Sequence, residues 1–360
     1  MSTSGSVEGP EMAAVAAADT PLARLRRLLA DTPEIGIVIA VIASFAIFTG
    51  INSDFASGAE LQNLGVDLAG FAILAIGEAF TIITAGIDLG VGSLTALFAV
   101  AAAWVNVSLH VPVFFTFILI IVAGALWGMG TGLLITRLGV EPFVVTLFTF
   151  IFAAGADEAL APNPIPITSA PFLSIVGSTV LGVPIAVIVL VVIAVVAWVV
   201  LERTYLGRQI YAVGGNREAA RLAGIPVNRR IVLVYMISSG CAAVVGIIVA
   251  SHLTSGTADS VSGWELIAIA ACVIGGVSLV GGQGRMVGVL AGAALLVVLR
   301  DGLVAVNVNA YYQSMVVGLV LLIAIVIDRL RIIRLERSGK RVRRVAEATA
   351  ASKVPAPDMN

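Results

Sequence analysis

Several ionisable side chains lie inside long apolar stretches of the sequence. They are Asp67, Glu78, Asp88, Glu265, Arg300 and Asp301. A charged side chain at the centre of a bilayer costs about 2.5–3.5 kcal/mol on insertion scales, so such residues are candidates for function. Their chemistry is hydrogen bonding and charge pairing, which suits the passage of a polar cargo. If the apolar stretches span a membrane, these residues are candidates to line a pathway. For Arg300 a structural ion pair with a carboxylate is favoured, and a pathway contact is the alternative.

Glu78, Thr81 and Thr84 recur at helical spacing and form a polar stripe on one helix face. A polar cargo needs paired donors and acceptors, so we predict this stripe as a pathway face. A polar seam between packed helices explains it equally well. Asp88 lies in "GIDLG", whose two glycines weaken a helix. A helix broken at membrane depth exposes backbone groups that need polar partners. We therefore expect Asp88 to hold such a break rather than to touch the cargo.

Other catalytic chemistry is not indicated. The sequence has two histidines and two cysteines, far apart and outside any HExxH or CxxC spacing, and it has no GxSxG motif. Its lysines, Lys340 and Lys353, do not lie in a GxxxxGK[ST] phosphate loop. We therefore expect no enzyme activity, including ATP hydrolysis, and no metal and no cofactor bound by this chain.

The composition requires a membrane around these residues. The chain of 360 residues is 59% hydrophobic and 12% charged, whereas a soluble domain is about 25% charged. A spanning helix needs roughly 20 apolar residues. About ten stretches qualify, at 34–51, 62–85, 88–107, 112–136, 142–157, 179–201, 231–251, 264–281, 286–306 and 311–328. The predicted fold is an all-α polytopic membrane bundle of about ten helices, with inverted repeats.

The distribution of Lys and Arg predicts the orientation, because these residues prefer cytoplasmic loops. With both termini placed inside, every Lys and Arg except Arg300 falls in a cytoplasmic segment, and Arg300 falls in a span. We predict a cytoplasmic tail at 1–33, a transmembrane domain at 34–330 with a cytoplasmic loop at 202–230, and a basic cytoplasmic tail at 331–360. The basic tail is expected to contact anionic lipid.

The cytoplasmic loop contains the stretch "GGNREAARLAGIPVNRR" (214–230). Asn216 is a good N-cap, Gly224 a good terminator, and Pro226 prevents continuation. The pattern predicts a helix of about two turns, which is marginal alone. Ala219, Leu222 and Ala223 would form a small apolar patch beside Arg217 and Arg221. Such a patch suits a groove on another protein; an interfacial helix on the membrane is the alternative.

The chain resembles the membrane permease subunits of bacterial ABC importers for monosaccharides, in the ribose, xylose and arabinose branch. The matching stretches lie in family order between about 34 and 330: "IITAGIDLGVGS", "EPFVVTLFTF", "TYLGRQIYAVGGNREAARLAGIPV", "GWELIAIAACVIGGVSLVGGQG" and "YQSMVVGLVLLIAIVID". The resemblance implies a multi-pass protein of the bacterial inner membrane. It also implies a second permease copy, an ABC ATPase subunit and an external sugar-binding protein as partners, and no nucleic acid.

The resemblance further implies that the segment 214–227 docks on the ATPase. The predicted coupling residues are Gly215, Asn216, Arg217, Glu218, Ala219, Ala220, Arg221, Leu222 and Gly224. Two alternatives stay open. One is a permease for branched-chain amino acids, although "GIDLGVGS" and "YAVGGNREAARLAGI" match the sugar branch more fully. The other is an ion-driven secondary transporter that uses the membrane carboxylates, which leaves the capped cytoplasmic segment unexplained.

Overall fold

The computed structural model describes residues 33–309 and, beyond them, 311–313, 315–316, 318–319, 322–323 and 326. Within this part of the chain, 8 helices are long and apolar enough to cross a membrane. The predicted all-α polytopic fold is therefore confirmed. Residues 1–32 of the predicted N-terminal tail, the whole predicted C-terminal tail and much of the tenth predicted span lie outside the described residues.

Twelve helices with defined bounds follow one another along residues 33–305. In chain order they are α1 (Pro33–Ile51), α2 (Gly58–Ile83), α3 (Val91–Ala103), α4 (Val113–Arg137), α5 (Pro142–Leu160), α6 (Ala170–Gly177), α7 (Ile185–Trp198), α8 (Tyr205–Gly215), α9 (Arg217–Leu222), α10 (Val227–His252), α11 (Trp264–Ile274) and α12 (Met286–Ala305). Short π-helical segments prolong α3 over Trp104–Ser108 and α7 over Val199–Arg203. A 3₁₀ turn, Ser53–Ala56, separates α1 from α2.

Two small antiparallel pairings lie in the connections on one side of the bundle. Strand β1 (Ile165–Pro166) pairs with β4 (Ser255–Gly256), so that Ile165 faces Gly256. Strands β2 (Thr179–Val180) and β3 (Val183–Pro184) form a hairpin between α6 and α7. We call this side the outer end and the opposite side, where α8 and α9 lie, the cytoplasmic end, following the predicted orientation.

Helices α2 and α10 form the centre of the bundle. The apolar window of α2 is 89% buried and that of α10 is 67% buried, whereas the window of α1 is 6% buried. Helix α10 packs against α2, α3 and α4. Small residues permit these contacts: Gly77 of α2 meets Cys241 and Ser238 of α10. The more exposed helices present Leu, Ile, Val and Phe outward, as expected of a surface that faces lipid.

The eighth predicted span was wrong in length. We expected a helix over 264–281, but α11 has 11 residues and ends at Ile274. Such a helix is too short to cross a bilayer alone. Gly275 and Gly276 follow it, and the next helix begins only at Met286. The loop between them is therefore a second interruption in the bundle, beside the predicted break near Asp88. The inverted repeats stay a prediction.

Candidate functional site

The segment between α2 and α3 is a break in the helical bundle, and Asp88 organises it. Asp88 Oδ1 accepts a hydrogen bond from the backbone N–H of Gly90 at 3.1 Å, next to the start of α3. Its Oδ2 accepts from the Ser238 hydroxyl of α10 at 2.8 Å. The backbone N–H of Asp88 donates to Glu78 Oε1 at 3.1 Å. The start of α3 and α10 thus meet at the Asp88 carboxylate, and α2 meets its backbone N–H, which is the geometry expected of a residue that holds a break.

The polar stripe on α2 lies in the interior of the chain. Glu78, Thr81 and Thr84 are at most 1% exposed. The hydroxyl of Thr81 donates to the carbonyl of Glu78 at 2.7 Å, and that of Thr84 to the carbonyl of Thr81 at 2.9 Å. The hydroxyl of each threonine therefore has its hydrogen-bond acceptor on its own helix. This packing favours the interpretation of the stripe as a polar seam between helices. Their assignment to a pathway stays a prediction.

Helix α9 forms as its sequence predicts. The side chain of Asn216 accepts a hydrogen bond from the N–H of Ala219 at 3.0 Å and caps the first turn. Gly224 follows the helix with a φ of 80°, which only glycine adopts freely. Glu218 and Arg221 form an ion pair of 3.0 Å on the surface.

The outward surface of α9 is apolar at its tip. Leu222 is 82% exposed, and Ala219 and Ala223 are exposed beside it, whereas Ala220 is buried against the chain. A leucine presented to water in this way costs free energy unless another surface covers it. The predicted patch is thus present at Leu222, Ala219 and Ala223. Glu218 and Arg221 border it, while Gly215, Asn216 and Gly224 shape the two ends of the helix.

Arg217 differs from the expectation that it borders this patch. Its Nη2 donates instead to the carbonyl oxygens of Thr84, at 3.2 Å, and Ala85, at 3.4 Å. These carbonyls belong to the segment that leads from α2 to Asp88. A hydrogen bond from a charged donor contributes about 1.5–3 kcal/mol. Arg217 therefore connects α9 to the α2–α3 break.

A close backbone contact accompanies this connection, and we name it the glycine junction: Ile83, Gly214 and Gly282. The N–H of Gly282 donates to the Ile83 carbonyl at 2.8 Å. A Cβ atom at Gly214 would lie 1.7 Å from the same carbonyl oxygen, so this position has room only for glycine. The glycine junction joins α8 to both interrupted regions, the α2–α3 break and the α11–α12 loop.

Tyr211 reinforces the junction on α8. Its hydroxyl donates to the carbonyl oxygen of Gly284 at 2.8 Å. Burial, together with the nearby Glu202 carboxylate, raises the pKa of Tyr211 to about 12. The hydroxyl therefore stays protonated near neutral pH and keeps its role as a donor.

The remaining candidates fall into two places. Glu265 lies in the first turn of α11, and its carboxylate lies against Gly92 in the first turn of α3, where an added Cβ would be 2.0 Å from Oε2. Arg300 of α12 lies over two aromatic rings, 5.1 Å from the centroid of Phe71 and 6.0 Å from that of Trp264. These rings are stacked at 4.2 Å.

Among the ion pairs of the described residues, none involves Arg300. The expected structural ion pair with a carboxylate is thus replaced by a cation–π contact, which contributes about 0.5–2 kcal/mol. Asp67 precedes Phe71 by one helical turn on α2, so both lie on the face that meets Arg300. Asp301 is 9% exposed. The structure therefore places Asp67 and Arg300 toward the outer part of α2, and Glu78 and Asp88 toward its other end, since Asp67 and Glu78 share a face of α2 but are three turns apart.

Sequence reasoning missed the partners that complete these contacts. Ser238, which binds Asp88, was not predicted, although the polar "SSG" in a long apolar helix is a signal for it. The aromatic partners of Arg300 carried no local signal. Among the described residues, no group of three or more His, Cys, Asp or Glu side chains is placed to hold a metal ion.

Comparison with known proteins identifies the family of this chain independently of the geometry. Residues 61–325 match the family model described as branched-chain amino acid transport system / permease component. The ribose import permease of Haemophilus influenzae is 38% identical over 296 residues, covering 81% of this chain and 91% of that protein. That of Bacillus subtilis is 38% identical over 300 residues, covering 82% and 92%.

A more distant relative is the galactose/methyl galactoside import permease of Escherichia coli. It is 32% identical over 321 residues, covering 84% of this chain and 95% of its own. No solved structure gave a significant match. The family match covers most of the chain, and the relatives align almost from end to end. The chain therefore belongs to this family of transport-system permeases, in the group that contains the ribose import permeases.

Proposed function

We propose that this chain is the transmembrane subunit of an ABC importer and forms the pathway for a monosaccharide or a related polyol. The relatives named for ribose, D-allose and galactose support the sugar class. A separate ATPase subunit hydrolyses ATP with Mg²⁺, and an external binding protein delivers the cargo. Two permease copies enclose the pathway in the inner membrane, with both termini of each copy in the cytoplasm.

The observation that carries this proposal is the contact of Arg217 with Thr84 and Ala85. An importer driven by a separate ATPase needs a surface for that subunit and a rigid path from the surface to the membrane helices. Helix α9 offers the surface, with Leu222 at 82% exposure. Arg217, on the same helix, contacts the membrane-embedded break. Helix α9 thus provides both the docking surface and the start of the path to the membrane helices.

The glycine junction gives this path its stiffness. Backbone atoms of Ile83, Gly214 and Gly282 touch directly, so a displacement of α8 and α9 is passed on without flexible side chains between them. In the proposed mechanism, closure of the ATPase pair moves α9, and the α2–α3 break and the α11–α12 loop move with it. Asp88 keeps the break joined to α10 while the two permeases rock between outward and inward states.

The test is a docking variant of α9. Glu218→Ala, Arg221→Glu and Leu222→Asp are combined, because all three side chains are exposed and their replacement leaves the interior untouched. The variant and the wild type are purified with the ATPase partner and assayed in liposomes for ATP hydrolysis stimulated by the binding protein. We expect a folded permease that no longer retains the ATPase. A variant that retains the ATPase with unchanged stimulation overturns the assignment of α9 as the docking helix.

A further inference from the structure

A small acidic cavity opens at the outer end between α3, α5 and the loop that joins α10 to α11. Its volume is about 60 Å³. Its lining includes Gly92, Ser93 and Ala96 of α3, Phe150, Asp157 and Glu158 of α5, and Asp259 and Ser262 of the loop. Glu158, Asp259 and Ser262 are exposed, whereas Gly92 and Ala96 are buried. The cavity therefore leads from the outer surface down to the first turn of α3.

Asp157 is the most unusual residue of this cavity. It is only 2% exposed, and its Oδ2 accepts a hydrogen bond from the backbone N–H of Asp259 at 3.2 Å. Its Oδ1 is buried without any hydrogen-bond partner among the described residues. A buried carboxylate oxygen without a partner destabilises the fold, because it has lost its hydrogen bonds to water and forms none within the protein. The free oxygen needs a donor from a molecule that enters the cavity.

A second orphaned oxygen lies next to the cavity. Glu265 Oε2 is also buried without a partner among the described residues, and it lies against Gly92, which lines the cavity. Near Gly92 the wall is backbone without a side chain. Phe150 adds an apolar face to the wall. Binding pockets for small molecules commonly combine such an apolar wall with a few convergent polar groups.

The lining chemistry selects the class of ligand. Ionised carboxylates only accept hydrogen bonds, and the serine hydroxyls can donate or accept. The cavity has three lining carboxylates and no lining Lys or Arg, so its potential repels anions. A neutral polyol offers hydroxyl donors to the carboxylates and C–H groups to the phenylalanine ring. The volume admits one hydroxyl-bearing edge of such a molecule at a time.

Resting on the proposed function, we propose that this cavity is a cargo subsite in which Asp157 Oδ1 accepts a hydrogen bond from a sugar hydroxyl. The sugar is released by the binding protein at the outer end and enters the permease with one hydroxyl edge toward α3 and α5. The subsite lies beside Gly92 and Glu265, where the first turns of α3 and α11 meet. The external binding protein selects the sugar first, and this subsite then discriminates between hydroxyl positions a second time, inside the membrane subunit.

The test uses the complete transporter in liposomes with its ATPase and binding protein. Uptake of radiolabelled D-ribose, D-allose and D-galactose identifies a transported sugar, and its monodeoxy analogues are then compared at saturating binding protein. In the wild type, removal of the hydroxyl that meets Asp157 lowers uptake by roughly tenfold or more. In Asp157→Ala the parent sugar and this analogue are taken up at equal rates. Asp157→Asn retains an acceptor for Asp259 N–H and is therefore expected to keep the fold. A change in discrimination that Asp157→Asn shares with Asp157→Ala is then due to loss of the subsite and not to loss of the fold.

Asp54→Asn is the matched control, because Asp54 is an exposed acid of the outer end that does not line the cavity. If Asp157→Ala slows the parent and the analogue by the same factor, or changes neither, the subsite is overturned and the proposed function stands. If the wild type takes up none of these sugars and nothing from a wider panel of monosaccharides and polyols, the proposed function fails together with the polyol assignment. Uptake that requires an outer Na⁺ or Mg²⁺ only while Asp157 is present assigns the cavity to a cation and also overturns the subsite.

Discussion

Arg217 and Thr84 are 133 positions apart in the sequence, yet the guanidinium Nη2 of the first lies 3.2 Å from the carbonyl oxygen of the second. This contact joins the exposed helix α9 to the break between α2 and α3. Because the donor is charged and the acceptor is a backbone carbonyl, the bond depends on Arg217 alone and not on a second side chain. It is the point at which force on α9 would reach the membrane helices.

We predict that Arg217→Met separates ATP hydrolysis from transport. Methionine keeps the unbranched apolar stem and the high helix propensity of arginine but lacks the guanidinium, so it removes a hydrogen bond of about 1.5–3 kcal/mol. The ATPase should still bind, since Leu222, Glu218 and Arg221 are unchanged, while sugar uptake per ATP hydrolysed falls by about tenfold. The measurement is uptake and hydrolysis in the same liposomes. Arg229→Met, an exposed arginine near the start of α10, is the control and should leave the ratio unchanged.

The glycine junction gives a sharper comparison, since Gly214 and Gly215 are neighbours at the end of α8. A Cβ at Gly214 meets the Ile83 carbonyl oxygen at 1.7 Å and the Gly282 nitrogen at 2.6 Å, whereas a Cβ at Gly215 meets nothing within 4 Å. We expect Gly214→Ala to lower the free energy of unfolding by at least about 1–3 kcal/mol. Gly215→Ala should be close to neutral. Thermal unfolding in detergent measures both, and equal effects would contradict the close contact.

Features set by local chemistry could be predicted from the sequence. The spans follow from apolar length, because lipid admits only hydrogen-bonded helices. Helix α9 follows from Asn216, Gly224 and Pro226, whose effects act within one or two turns. The role of Asp88 in a break follows from the glycines beside it. Each of these inferences needs only residues that are close in the sequence.

Features set by distant partners could not be predicted in this way. The sequence places Arg300 in a span but does not say that Phe71 and Trp264 stack beneath it. The sequence places Arg217 on α9 but does not show that its side chain reaches the carbonyl oxygens of Thr84 and Ala85. The early end of α11 was hidden by the apolar residues that follow Gly276, since hydropathy measures the preference for lipid and not the path of the backbone. These outcomes depend on which helices pack together.

The orientation of the bundle is testable with engineered cysteines. The two native cysteines, Cys241 and Cys272, are buried and should not react with a bulky reagent. Leu181, at the tip of the β2–β3 hairpin, is 100% exposed, and Leu222 of α9 is 82% exposed. In intact cells, a membrane-impermeant maleimide should label Leu181→Cys and not Leu222→Cys. Labelling of Leu222→Cys instead would reverse the predicted orientation.

The last prediction concerns Asp88 and Ser238, whose side chains meet at 2.8 Å across 150 positions of sequence. Both are almost fully buried, at 2% and 0% exposure, so neither group can turn to water when its partner is removed. Ser238→Ala should lower the free energy of unfolding by about 1–3 kcal/mol, because one carboxylate oxygen then loses its donor. Asp88→Asn should lower it by a similar amount, and the double variant by clearly less than the sum, since both changes remove the same bond.

Ser239→Ala, a change at the neighbouring buried serine, is the control and should add to Asp88→Asn without coupling. The measurement is denaturant unfolding of the four combinations in detergent, together with sugar uptake in liposomes. Additive effects of Asp88→Asn and Ser238→Ala would mean that the bond does not hold the break, and the path from Arg217 would then have to run through the glycine junction and the α11–α12 loop alone.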